Sequence, residues 1–107
     1  MSIRVEPTSI GEQLAERPYA FVLTTSNERV HAVSLRPEVT GNVLAFGPVG
    51  RSTTADVEAN PFVTVVWPGS AGPSEHAEYS LIADGRGEIR EGRLVVVVDG
   101  AVLHRPA

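Results

Sequence analysis

Apolar residues come in short bursts along this chain, each closed by glycine, proline or small polar residues. "YAFVLTT" (Tyr19–Thr25) is aromatic and β-branched and predicts a mostly buried strand. A polar turn, "SNER", follows it, and "VHAVSLR" (Val30–Arg36) alternates as the second arm of a hairpin would. "PEVTGN" breaks the chain before a third strand, "VLAFG" (Val43–Gly47), and "FVTVVW" (Phe62–Trp67) is a dense fourth. "AEYSLIADGRGEIR" is a long strand in which Gly85 and Gly87 mark a bend or bulge. "EG" at 91–92 turns tightly into "RLVVVV", and "DG" at 99–100 breaks that run before "AVLHR".

Two segments have helical spacing instead. In "TSIGEQLAERP", Ser9 and Glu12 form a capping box, Ile10 and Leu14 share a face, and Pro18 ends the helix. "STTADVEAN" is about two turns long between Gly50 and Pro61. "PGSAGPSEH" predicts a flexible, exposed loop. Six strands with glycine bends, two short helices and no βαβ rhythm predict a small antiparallel barrel. One domain spanning residues 1–107 accommodates all of it.

Charge narrows the partners. Thirteen acidic residues against nine basic ones give a net charge of −4, and every basic residue is arginine. An acidic surface without lysine excludes nucleic acid and anionic membrane as expected partners. The remaining arginines, Arg17, Arg29, Arg36, Arg86, Arg90 and Arg93, read as scattered, solvated surface. Cysteine is absent, which removes disulfides, thiolate metal sites and cysteine nucleophiles. The run "LVVVV" is too short to span a bilayer and the N-terminal residues lack a signal-peptide pattern, so a soluble cytoplasmic protein is expected.

The densest chemistry lies in "VGRSTTADVEANP", Val49–Pro61. As structure alone, Gly50 turns the chain, Thr53 caps the helix and Asp56 faces back from its third position. As a site, the same helix start offers free N–H groups, with Arg51, Ser52 and Thr53 completing a phosphate cradle. Both readings use one geometry. His31 either touches a ligand or tiles the barrel wall. His76, beside Glu75 and Glu78 on a loop, is a poor metal set, and no metal site is expected. His104 caps the last strand or reaches a neighbouring subunit. Ser34, Ser52 and Ser80 lack a nucleophile context, so no catalytic side chain is assigned. Trp67 reads as a core or interface anchor before it reads as a ring that flanks a planar cofactor.

The order "PYAFVLTT", "VHAVSL", "VLAFG", "GRSTTADVEANPFVTVVWP", "YSLIADGRGEI", "AVLHRP" resembles the pyridoxamine 5′-phosphate oxidase-like family of FMN-binding split barrels, particularly its short actinobacterial members. The resemblance runs from about Glu12 to Pro106. It implies a mainly β fold, a six-stranded antiparallel Greek-key split barrel, paired as a homodimer with cofactor sites at the interface. It implies FMN as the usual ligand, a deazaflavin coenzyme in some branches, and haem or nothing detectable in others. Gly50, Arg51, Ser52, Thr53 and Thr54 match the phosphate-gripping positions, and His31, Val33 and Ser34 match the strand beneath the flavin ring. Thr54 stands where firm FMN binders have Lys or Arg, and Asp56 where they often have Asn. One lost charge-assisted hydrogen bond is worth about 1.5–3 kcal/mol, or roughly ten- to hundredfold in affinity.

The implied activity is a flavin-dependent oxidoreductase that exchanges hydride with a small molecule. The alternative is a cofactor-free dimeric split barrel that binds a small molecule or a protein partner.

Overall fold

Alternation of buried and more exposed residues along the longer strands makes much of this chain one antiparallel sheet curled around a single core. The structure, a computed structural model, describes residues 2–106. In chain order the strands are β1 (Ser2–Val5), β2 (Phe21–Ser26), β3 (Arg29–Ser34), β4 (Glu38–Thr40), β5 (Val43–Pro48), β6 (Phe62–Trp67), β7 (Ser80–Arg90) and β8 (Arg93–His104). A 3-10 helix covers Pro7–Gln13, and α1 covers Arg51–Ala59 between β5 and β6. The strand order is β3-β2-β6-β7-β8-β5-β4, with β1 added to β8. The order leaves β3 and β4 as the two ends, not joined to each other by a ladder.

Inward residues of each strand build the core: Val22, Val63, Val65, Trp67, Leu81, Leu94, Val96 and Leu44 are all nearly or fully buried. Val57 of α1 joins them, so the helix closes one mouth of the curled sheet. Two tight turns have both central residues at positive φ, Asn27–Glu28 between β2 and β3 and Glu91–Gly92 between β7 and β8. That is the turn that matches strand twist in two-residue hairpins.

Two strands escaped the sequence pattern. β1 has four residues and β4 has three, too few for a period to register, and each depends on its partner strand. The sheet of the described residues therefore has eight strands where six were expected. The expected break at "DG" is instead a bulge within one continuous strand: Asp84 pairs with Gly100 and Gly85 with Val98, which leaves Asp99 without a partner. Gly85 is required there, because a Cβ would lie 2.2 Å from the Val97 carbonyl oxygen. β8 carries β5 along Val43–Pro48 and β1 along Ser2–Val5 on the same edge.

The first predicted helix is also different. It is a 3-10 helix with bonds such as Ser9 N–H to Glu6 O at 2.8 Å, and it has no side-chain cap, so Ser9 and Glu12 form no capping box. Pro7 fixes its start and Gly11 weakens the turn that an α-helix would need.

Arg17, expected on the solvated surface, is buried. It donates to the carbonyls of Gln13, His76 and Tyr79 at 2.8–3.1 Å. Burial pushes its guanidinium pKa down while Glu16 acts the other way. These bonds, with the backbone N–H of Ser74 donating to Glu16 at 3.1 Å and that of Ser70 to the Ala77 carbonyl at 3.0 Å, pin the "PGSAGPSEH" loop. The loop is exposed as predicted but not slack.

Candidate functional site

α1 begins one turn earlier than the capping reading required. Gly50 is its N-cap, with extended backbone and no side-chain cap, and Thr53 is a buried residue inside the first turn. The capping box of Thr53 and Asp56 is therefore not formed. A Cβ at Gly50 would meet nothing within 4 Å, so the helix mouth opens into free space. Arg51 and Ser52 are exposed beside it, Thr53 is withdrawn and Thr54 is half-buried.

Asp56 lies well inside the helix and faces inward, away from that mouth. Its Oδ2 accepts from Thr24 Oγ1 at 2.8 Å and from His31 Nδ1 at 2.5 Å. Thr24 and Asp56 are buried, whereas the His31 side chain remains about half exposed (47%). The hydrogen bond from His31 holds the Asp56 carboxyl below the usual carboxylate range. Burial opposes it, and the Thr24 hydroxyl, the charge on His31 and the Ser26 hydroxyl add to the lowering. With Nδ1 committed to Asp56, His31 presents Nε2 outward.

The β2–β3 register explains this placement and separates the predicted site residues. Thr24 faces His31 and Val22 faces Val33 on the side of the sheet that α1 covers. Ser34 pairs with Phe21 and belongs to the opposite face. The helix mouth thus gathers Gly50, Arg51 and Ser52; His31 meets the middle of the helix; Ser34 stands on another surface. Sequence reasoning missed the Thr24–Asp56–His31 cluster because its members are far apart in the chain. The strict two-residue hairpin at Asn27–Glu28 was the signal that sets Thr24 against His31.

The outer sheet face is apolar. Val30 (64% exposed), Phe62 (58%), Val97 (45%) and Phe21 (38%) share it by register, and the Arg86 guanidinium lies 5.0 Å from the Phe62 ring centroid. A cavity of about 400 Å³ opens there between Leu23, Val30, Phe62 and Thr64, with Asp84 and Asp99 at its rim. Thr64 Oγ1 donates to Asp84 Oδ1 at 2.5 Å. A second cavity, of about 350 Å³, brings together Arg36, Arg90 and Arg93. These three are not scattered as expected. The sequence held the signal: "REGR" around a two-residue turn must set Arg90 opposite Arg93.

No protein-family model matches the chain. The Mycobacterium bovis protein Mb0449c and the Mycobacterium tuberculosis protein MT0457, both uncharacterized, are each 29% identical to it over 121 aligned positions, covering 97% of this chain and 82% of theirs. Among solved structures, a FAD-binding protein from Mesorhizobium loti superposes with a TM-score of 0.72 at 11% identity, covering 95% of this chain and 94% of its own. A protein of Listeria innocua described as a pyridoxamine 5′-phosphate oxidase gives 0.63 at 14% identity, covering 88% and 92%. One of Bacteroides thetaiotaomicron described as a 5-nitroimidazole antibiotic resistance protein gives 0.70 at 16%, covering 95% and 86%. The fold is a split β-barrel. Within this split barrel, no helix of the described residues is long and apolar enough to cross a membrane.

Proposed function

We propose that this split barrel binds a flavin, FMN or a deazaflavin coenzyme, between two copies of the chain and acts as an oxidoreductase on a small molecule. The observation that carries the reading is the uncapped first turn of α1. Gly50 leaves its N–H groups open, Arg51 and Ser52 stand beside them, and Asp56, whose negative charge would oppose a phosphate there, is turned inward. The likeness to a FAD-binding protein and to one described as a pyridoxamine 5′-phosphate oxidase supports it.

Under this reading Arg51, Ser52 and the backbone of Thr53 hold the phosphate, while the Thr54 N–H closes the first turn on the Gly50 carbonyl at 3.0 Å. His31 and Val33 flank the ring on the α1 side of β3. The flavin supplies hydride transfer when bound, and the protein supplies binding, orientation and exclusion of water. His31, fixed through Nδ1, offers Nε2 as a hydrogen-bonding group to a bound molecule. The apolar outer face is the surface for the second copy, since Phe21, Val30, Phe62 and Val97 exceed what a lone small domain leaves uncovered.

One observation favours the cofactor-free alternative. The cavity of about 400 Å³ on the outer face is rimmed by two carboxylates and lined by no arginine, which suits a neutral or cationic small molecule better than a phosphate.

Purified protein titrated with FMN and with the deazaflavin coenzyme separates the two. The flavin reading expects saturable fluorescence quenching at micromolar ligand, weakened roughly ten- to hundredfold in Arg51→Ala, and a sedimenting mass twice that of one chain. No spectral response to either ligand transfers the assignment to the cofactor-free binding module.

A further inference from the structure

Three of the nine arginines converge on one cavity of about 350 Å³ at the turn end of the β7–β8 hairpin. Arg90 and Arg93 are direct cross-strand partners, and Arg36 reaches the cavity from the link between β3 and β4. Like charges set opposite each other in an antiparallel pair repel. In a chain of net charge −4, this arrangement gathers three guanidinium charges against the two carboxylates, Glu38 and Glu91, of the same lining.

The protein does little to neutralise it. Arg90 lies 3.1 Å from Glu88, but both side chains are about two-thirds exposed (65% and 64%), and a pair so exposed is worth little. Arg36 gives its Nε–H to the Pro18 carbonyl, a neutral partner that fixes the guanidinium without discharging it. Among the described residues, Arg93 takes part in no ion pair. Glu38 and Glu91 also border the cavity, yet neither pairs with any of the three. Val95, Ala45 and Phe46 give the same cavity an apolar wall.

We propose that this cavity is a binding site for the oxyanion group, phosphate or carboxylate, of a small molecule whose apolar body lies against Val95 and Ala45. The planar forks of Arg36 and Arg93 supply paired donors for such a group, and its charge relieves the Arg90–Arg93 repulsion. Arg51 does not line this cavity, although the Val49 N–H donates to the Gly92 carbonyl at 3.0 Å and sets the helix mouth beside the same turn; the proposal does not rest on the flavin reading.

A ¹H–¹⁵N NMR titration with phenyl phosphate, benzoate and phenol tests the proposal. Phenyl phosphate or benzoate is expected to shift the amides of Ala45, Gly47 and Val95 saturably, with those of Arg29 and Arg105 unmoved. Which of the two saturates first identifies the oxyanion. Phenol, of the same shape without the charge, is expected to cause no saturable shift. Arg93→Gln and Arg36→Gln, both at exposed positions, should each weaken binding about tenfold or more. Shifts of equal size at Arg29 and Arg105, affinity unchanged in both variants, or shifts gathered at Gly50–Thr53 would overturn it. FMN binding that survives Arg93→Gln, together with loss of phenyl phosphate binding, separates the fate of this site from that of the flavin reading.

Discussion

The two sides of α1 are built on opposite terms. On its inner side Asp56 is satisfied by the protein itself, with Thr24 and His31 both on Oδ2 and the carboxylate out of solvent. At its first turn the chain supplies no cap at all, and Gly50 leaves open space where another residue would place a side chain. One helix therefore carries a finished polar cluster and an unfinished one. The finished cluster anchors the helix to β2 and β3. The unfinished one has donors to offer and nothing of its own to offer them to.

Removing the anchor gives the largest expected effect. Asp56→Ala strands the buried Thr24 hydroxyl and frees the His31 ring, and should lower the unfolding free energy by about 2–3 kcal/mol in urea titrations. A variant as stable as the parent would show that the inner side is no more committed than the mouth.

A smaller effect follows from pH. Asp56 is held below its ordinary value in the fold, so its contribution is complete above the unfolded carboxylate pKa, about 3.9. It is lost as pH falls from there through the depressed folded value. Asp56→Asn has no such titration. Urea midpoints at pH 7, 5, 4 and 3 should therefore show the parent and this variant converging as the solution is acidified. A constant gap would mean that the charge on Asp56 plays no part.

The smallest expected effect sharpens the contrast. Arg51→Gln should change stability by less than about 0.5 kcal/mol, because an exposed side chain at an uncapped helix start supports nothing in the fold. A larger loss would make Arg51 part of the scaffold and leave the mouth less open than it looks.

The sequence was most legible where hydrophobic alternation ran for five or more residues. β2, β3, β5, β6 and β7 all lie where their patterns put them, and Trp67 is in the core. Short strands were not legible, since "SIRV" and "EVT" acquire their conformation from β8 and β5 and not from their own composition. Polar residues were the harder case. Arg17 reads as surface in any window of sequence, yet three carbonyls from two separate segments make it a buried clamp. Asp56 reads as a helix-start residue until Thr24 and His31 are placed beneath it. At the candidate site, the sequence placed a short helix after Gly50 with Arg51 near its start, but not the direction of the Arg51 side chain. It could not separate Ser34 from His31, because adjacent faces of one strand look alike until pairing assigns them.

The bulge at Asp99 lets the last strand carry an extra residue and keep its inward set. Before it, Leu94, Val96 and Val98 are buried; after it, Ala101 and Leu103 are, an interval of three in a strand that otherwise counts by twos. Asp99 is thus one residue in excess, which the backbone takes up in the bulge. Its deletion would bring Val98 and Ala101 two positions apart and leave Ala101 and Leu103 inward, with Ser2–Val5 still laddered onto that stretch. One supernumerary residue therefore bends the last strand without changing which of its side chains fill the core.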